Sequence, residues 1–227
     1  MAAKKYYAVK KGKNTGIFTE WAECKASVDG FPGAEYKGFA TREEAAAYLG
    51  VEADIVVKAI TSNQSDYATV PGRLLVYVDG SYDDSLPKYA FGCVFLLDGG
   101  EIRLAYGNGD NPQSLKHRNV TGEMLGAMYA VKTAMLNGYK EVELCYDYEG
   151  IEKWVTGAWR SKTELTQIYA QSMREWGQCI RIYFTKVAAH SNIKYNELAD
   201  ATAKRGLTEA AGVPKVVQLE ELEIYAG

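Results

Sequence analysis

The chain is poor in the residues that build several classes of protein. Its four cysteines, Cys24, Cys93, Cys145 and Cys179, are far apart, form no C-x-x-C pair and are joined by only two histidines. That excludes a disulfide framework and a zinc site and predicts reduced, mostly buried thiols. Only five prolines occur among 227 residues, with 47% hydrophobic and 24% charged residues, so a long disordered segment is excluded as well. No run of eighteen apolar residues exists, and the opening MAAKKYY has no apolar stretch. These absences predict no membrane span and no signal peptide, with the cytoplasm as the expected compartment. The net charge of −3 is small but uneven: residues 1–50 sum to +2, residues 72–208 to zero and residues 209–227 to −3. Lys4, Lys5, Lys10, Lys11 and Lys13 precede any acid, which gives the first segment a positive end suited to a polyanion.

What is present divides into two modules. Residues 51–71 begin with a short apolar stretch and pass into a Ser, Asn, Gln, Asp and Pro run, read as a linker. Before it, KYYAVKKG, GIF and EYKGFA are strand candidates, WAECKASV is a helix, and Thr41 with Glu44 forms a capping box for a second helix ending at Gly50. The prediction is a small α+β unit of ββαβα type over residues 1–50. After the linker, RLLVYVDGS is a continuous apolar run, the mark of a strand covered on both faces. KYAFGCVFLLDGG and EIRLAYGNG turn at Gly99-Gly100 and extend it as an antiparallel meander. Met124, Met128, Val131 and Met135 then mark one apolar stripe of a helix stopped at Asn137-Gly138. EVELCYD, two helical stretches, IRIYFTKVAAH and a helix ending at Gly206 complete a mixed five-stranded sheet with helices on its faces, an α/β module over residues 72–208. The tail, 209–227, is left without a role.

Three acids fall where this layout delivers chemistry: Asp79 at the end of the first strand, Asp147 at the end of the fourth, and Glu123 near the start of the long helix. Asp200, on the last helix, can complete the group. An Asp after a strand is often only a turn or cap residue, but joint placement at one sheet edge is a different matter. Four carboxylates a few ångströms apart raise one another's pKa and call for a compensating cation. Mg²⁺ prefers such oxygen ligands, and two ions about 3.5 to 4 Å apart can activate water at a phosphodiester. A glycosidase uses two acids and would leave the other two unexplained.

These residues resemble the type 1 ribonuclease H family in order and spacing: YVDGS with Asp79, GEM with Glu123, CYDYEGIEKW with Asp147, and AHSNIKYNELADATA with His190 and Asp200. Residues 1–50 resemble the hybrid-binding domain that some members carry, through YYAVKKGKNTGIF, EWAECKASVDGFPGAEYKGF and EEAAAYL. The resemblance implies a ribonuclease H-like fold and hydrolysis of the RNA strand of an RNA–DNA hybrid. It also implies two Mg²⁺ ions, with Mn²⁺ as an alternative, and products with 3′-hydroxyl and 5′-phosphate ends. Asp79 would bridge both ions, Glu123 and Asp200 hold one side, and Asp147 hold the other. His190 matches a mobile histidine that shuttles protons or assists product release, and Asn196 would orient the attacking water.

Discrimination of RNA rests on the 2′-hydroxyl, for which Gly80, Ser81 and Asn119 are the matching positions. In the first module Trp21 and Tyr36 match an aromatic platform for the DNA strand, and Tyr7, Lys10, Lys11 and Lys37 match backbone-contacting positions. The sequence departs from the family at Val120, Thr121, Gly122 and Tyr148, at Gly38, and in lacking a basic protrusion between Asp147 and His190. The expected partner is the hybrid alone, with no membrane and no obligate protein. Two rival classes stay open: a non-catalytic hybrid binder, and a DNA nuclease or strand-transfer enzyme with a similar acidic sheet.

Overall fold

The structure, a computed structural model, describes residues 6–40, 44–45, 48–49, 55–59, 69–188 and 193–226, with the backbone alone at 55–59. It divides into two compact units, residues 1–54 and 55–227.

In the first unit three antiparallel strands, β1 (Tyr6–Lys11), β2 (Gly16–Phe18) and β3 (Glu35–Phe39), lie in the order β2-β1-β3. Helix α1 (Trp21–Val28) follows β2. Ala8, Val9, Cys24 and Ala45 are buried, a small core for a small unit. Glu44, Ala45 and Tyr48 are helical, as expected, while the cap expected at Thr41 lies outside the described residues.

The second unit is built on a mixed sheet with the order β10-β7-β6-β5-β8-β9-β4. Its centre is the expected five strands: β5 (Arg73–Asp83), β6 (Lys88–Leu96), β7 (Ile102–Gly109), β8 (Glu141–Tyr146) and β9 (Arg181–Lys186). β5, β6 and β7 pair antiparallel, while β8 runs parallel to both β5 and β9. β5 is apolar throughout its first half because both its faces are covered. Leu74, Val76 and Val78 join one core with Phe91, Met124, Leu144 and Phe184; Leu75 and Tyr77 join another with Val94, Cys145 and Ala199. The first core is closed by α3 (Asn119–Leu136), α4 (Gly150–Thr156) and α5 (Glu164–Trp176), the second by α6 (Lys194–Glu209); a short helix α2 (Pro112–Leu115) precedes α3.

Three boundaries differ from expectation, and the tail, left open by the sequence, finds a place. β5 does not end at Asp79: its antiparallel pairing with β6 continues to Asp83↔Lys88, although its parallel pairing with β8 stops at Tyr77↔Cys145. The segment 51–71 is not linker throughout, since β4 (Ile55–Ala59) pairs in parallel with β9 at the sheet edge. α6 passes Gly206 and ends at Glu209; that glycine serves close packing, because a Cβ there would sit 3.2 Å from both the Ala90 Cβ and the Gly107 carbonyl oxygen. The tail is packed rather than frayed. Leu219 is buried, Asn137 binds the Leu219 N–H, Arg103 donates to the carbonyls of Glu220 and Leu222, and β10 (Glu223–Ile224) pairs with β7. Among the described residues no helix is long and apolar enough to cross a membrane.

Candidate active site

The site forms where the parallel pairing of β5 with β8 ends. Past Tyr77↔Cys145 the two strands part, and Asp79 on β5 and Asp147 just after β8 project at the opening. α3 is pressed onto this point from one face. A Cβ on Gly80 would overlap the Asn119 carbonyl and come within 2.5 Å of the Glu123 nitrogen, and one on Gly122 would overlap the Ala90 carbonyl. Gly80 is therefore needed for close approach, not for a tight turn: it lies inside β5, opposite Phe91, and has no positive φ. This contact delivers Glu123 to the two strand acids.

Oxygens of Asp79, Glu123 and Asp147 all lie within 4.8 Å of one another. Glu123 is 2% and Asp79 9% exposed. Burial, then the Asp147 and Asp79 charges, pushes Glu123 up to about 9; burial, then Asp147, pushes Asp79 up to about 7 against the pull of the Gly80 N–H. The Glu123 Oε2 is buried without a hydrogen-bond partner among the described residues. An unsatisfied carboxylate oxygen among like charges fits a hard divalent cation, which takes oxygen donors and restores the ionised state.

Asp200 lies outside that trio. It acts on the Asp79 charge from α6 and is held there by Lys204, one turn on, at 2.6 Å. A cation that takes the Asp200 Oδ2 competes with this lysine. Asn196, one turn before Asp200, is buried, and its Oδ1 has no partner among the described residues. His190 lies outside the described residues. Ser81 and Asn119 stand half-buried and exposed beside the opening, on β5 and at the first turn of α3.

In the first unit Tyr7, Trp21 and Tyr36 form a chain of rings with centroids 5.3 and 6.0 Å apart. Trp21 and Tyr36 are 45% and 44% exposed, so Trp21 is a surface residue rather than core. Of the lysines, Lys11 is ion-paired with Glu35, Lys37 lies over the Phe39 ring, and Lys10 is exposed. Sequence reasoning missed Gly92 and Lys204. Both had a local signal: a glycine inside a strand marks close approach, and Lys204 lies four residues after Asp200 on one helix face.

Comparison with known proteins agrees with this geometry. A family model described as RNase H matches residues 71–208, and one described as Ribonuclease H1 N-terminal domain matches residues 5–49. Ribonuclease H1 of Rattus norvegicus is 26% identical over 91% of this chain and 90% of its own length. Ribonuclease H1 of Homo sapiens is 40% identical over 37% of this chain and 31% of its own length. Among solved structures, the N-terminal RNase H domain of a Mycobacterium tuberculosis protein covers 60% of this chain and 93% of that one, with a TM-score of 0.50 and 14% identity, a likeness of fold. The mixed sheet with acids at the mouth of its parallel pair defines a nuclease of the RNase H class, and the chain belongs to the ribonuclease H family. The N-terminal match places a domain of the Ribonuclease H1 N-terminal kind before the ribonuclease H domain.

Proposed function

We propose that this chain cleaves the RNA strand of RNA–DNA hybrids internally, leaving 3′-hydroxyl and 5′-phosphate ends, with two divalent cations held by Asp79, Glu123, Asp147 and Asp200. The observation that carries this reading is the convergence of three carboxylates around a buried, unpartnered Glu123 oxygen. Two ions, Mg²⁺ or Mn²⁺, would supply a more acidic water and neutralise charge developing at the phosphate. Asp79 would contribute to holding both; Glu123 and Asp147, which lie with it in one trio, would complete one set and Asp200 the other. Asn196 would orient the attacking water through its buried carbonyl oxygen, which has no partner among the described residues, and His190 would move a proton at the leaving oxygen or assist product release. Gly80, Ser81 and Asn119 read the 2′-hydroxyl, which only the RNA strand carries.

Residues 1–50 act as the hybrid-binding domain. Trp21 and Tyr36 stack against the DNA strand, and Tyr7, Lys10, Lys11 and Lys37 meet the backbone. The catalytic segment is net neutral, so the salt-sensitive part of binding falls to this domain. The test is cleavage of a labelled hybrid with and without Mg²⁺, beside an all-DNA duplex. Mg²⁺-dependent cuts confined to the RNA strand are expected. Preference for the DNA duplex, or full activity in Asp147→Asn, removes the reading.

A further inference from the structure

Gly92 occupies the β6 position directly opposite Asp79. Residues paired across two strands share a face, so Gly92 and Asp79 both look toward α6. A Cβ on Gly92 would overlap the Ala199 carbonyl and the Ala203 nitrogen and lie 2.9 Å from the Thr202 carbonyl carbon. These are backbone atoms and cannot swing aside. Ala199 and Ala203 flank Asp200, so the missing side chain of Gly92 sets how deeply the Asp200 segment of α6 sits on the sheet beside Asp79.

The four acids thus divide by origin. Asp79 comes from a strand position that pairing with β6 fixes, and Asp147 from just after β8; Glu123 and Asp200 come from helices whose height is set by glycine contacts on opposite faces. We infer that Gly92 is a positioning residue for Asp200, and so for the cation that Asp79 and Asp200 would share, and leaves untouched the one that Asp79, Glu123 and Asp147 would hold. The buried Asn196 Oδ1, one turn before Asp200 and without a partner among the described residues, is the independent sign that a ligand belongs on this side, and the inference rests on the two-ion reading above.

The test counts Mn²⁺ bound to the full chain by electron paramagnetic resonance, without substrate, on protein whose fold is verified by circular dichroism. Wild type is expected to show two binding events. Gly92→Ala is expected to weaken one of them about ten-fold or more, the scale on which supporting residues tune metal affinity, and to leave the other within about two-fold. Gly206→Ala, whose Cβ meets its neighbours at 3.2 Å or more, lifts the same helix less and is expected to give a smaller effect on the same event, which keeps the test usable if Gly92→Ala does not fold. Adding Asp200→Glu to Gly92→Ala restores the weakened event, because the longer side chain regains the lost reach; a purely structural defect would not respond. Parallel weakening of both events, no weakening in a folded variant, or no recovery with glutamate overturns the role of Gly92 while the two-ion reading stands. Absence of Mn²⁺ binding in wild type overturns both.

Discussion

In the larger unit the groups that meet the chemistry are withdrawn from water, with Glu123 2% and Asp79 9% exposed, whereas in the smaller unit Trp21 and Tyr36 stand 45% and 44% exposed. The contrast follows from what each must bind. Buried like charges are tolerable only when protonated or beside a compact cation, and the three carboxylates of the larger unit converge without any nucleic acid present. A strand of bases presents broad flat faces and a solvated phosphate chain, for which open rings and loose lysines suffice. Changes in the larger unit should therefore alter turnover with little effect on affinity, and changes in the smaller unit the reverse.

The sharpest way to break that contrast is Asp147→Asn. It removes one charge while keeping the side-chain shape, and kcat is expected to fall on the order of 10³-fold, about 4 kcal/mol of transition-state stabilisation, with hybrid affinity held within a few-fold. An affinity loss as large as the rate loss, read by filter binding beside single-turnover kinetics, would mean that the acids grip substrate as well.

Next in size is a pH effect confined to the larger unit. Asp79 and Glu123 have folded-state values of about 7 and about 9, above those of the unfolded chain, so between roughly pH 4 and 9 the folded state holds more protons. Stability of the metal-free protein is then full below the unfolded values and declines as pH rises through the folded ones. Melting temperature in EDTA should drop from pH 5 to pH 9, and Mg²⁺ should flatten the slope. A flat or rising profile in EDTA contradicts the burial argument.

How far these features could be read from the chain depends on whether their cause is local. The five central strands carry continuous or alternating apolar patterns, and Glu123 and Asp147 follow from a helix start and a strand end, so these were legible; Asp79 was placed at a strand end, although β5 runs on to Asp83. β4 and β10 were not legible: IVVKA finds its partner β9 more than a hundred residues away, and Glu223–Ile224 is too short to show any period. The continuation of β5 beyond Asp79 was hidden because DGSYDD is polar, and only pairing with β6 keeps it extended. Gly206 was read as a stop, and nothing local marked Gly80 for close packing, since a sequence does not distinguish a glycine needed for its φ from one needed for the backbone of a distant helix. Nor does local sequence show that Glu35 engages Lys11 from β3, because the two meet only once the strands pair.

In the smaller unit, Trp21→Ala is expected to weaken hybrid binding by about 1–3 kcal/mol while leaving kcat at saturating substrate and the melting temperature nearly unchanged. A large fall in melting temperature would show that the exposed ring supports the small core after all. Truncating residues 1–50 should weaken binding further and flatten its salt dependence, by about one unit of slope for each lysine that no longer meets a phosphate.

The smallest effect probes a place where an acid intrudes on the basic surface. Glu35 occupies the Lys11 ammonium in an exposed ion pair and holds it toward β3. Phosphates approaching that lysine must compete with the carboxylate, so Glu35→Gln should tighten hybrid binding about two- to three-fold at low salt. Stability should change little, since exposed pairs contribute only about 0–1 kcal/mol. The gain should fade as salt rises past about 0.15 M, where screening acts over roughly 8 Å. Unchanged or weaker binding at low salt would place Lys11 outside the contact surface and leave Lys10 and Lys37 as the cations that meet the phosphate chain.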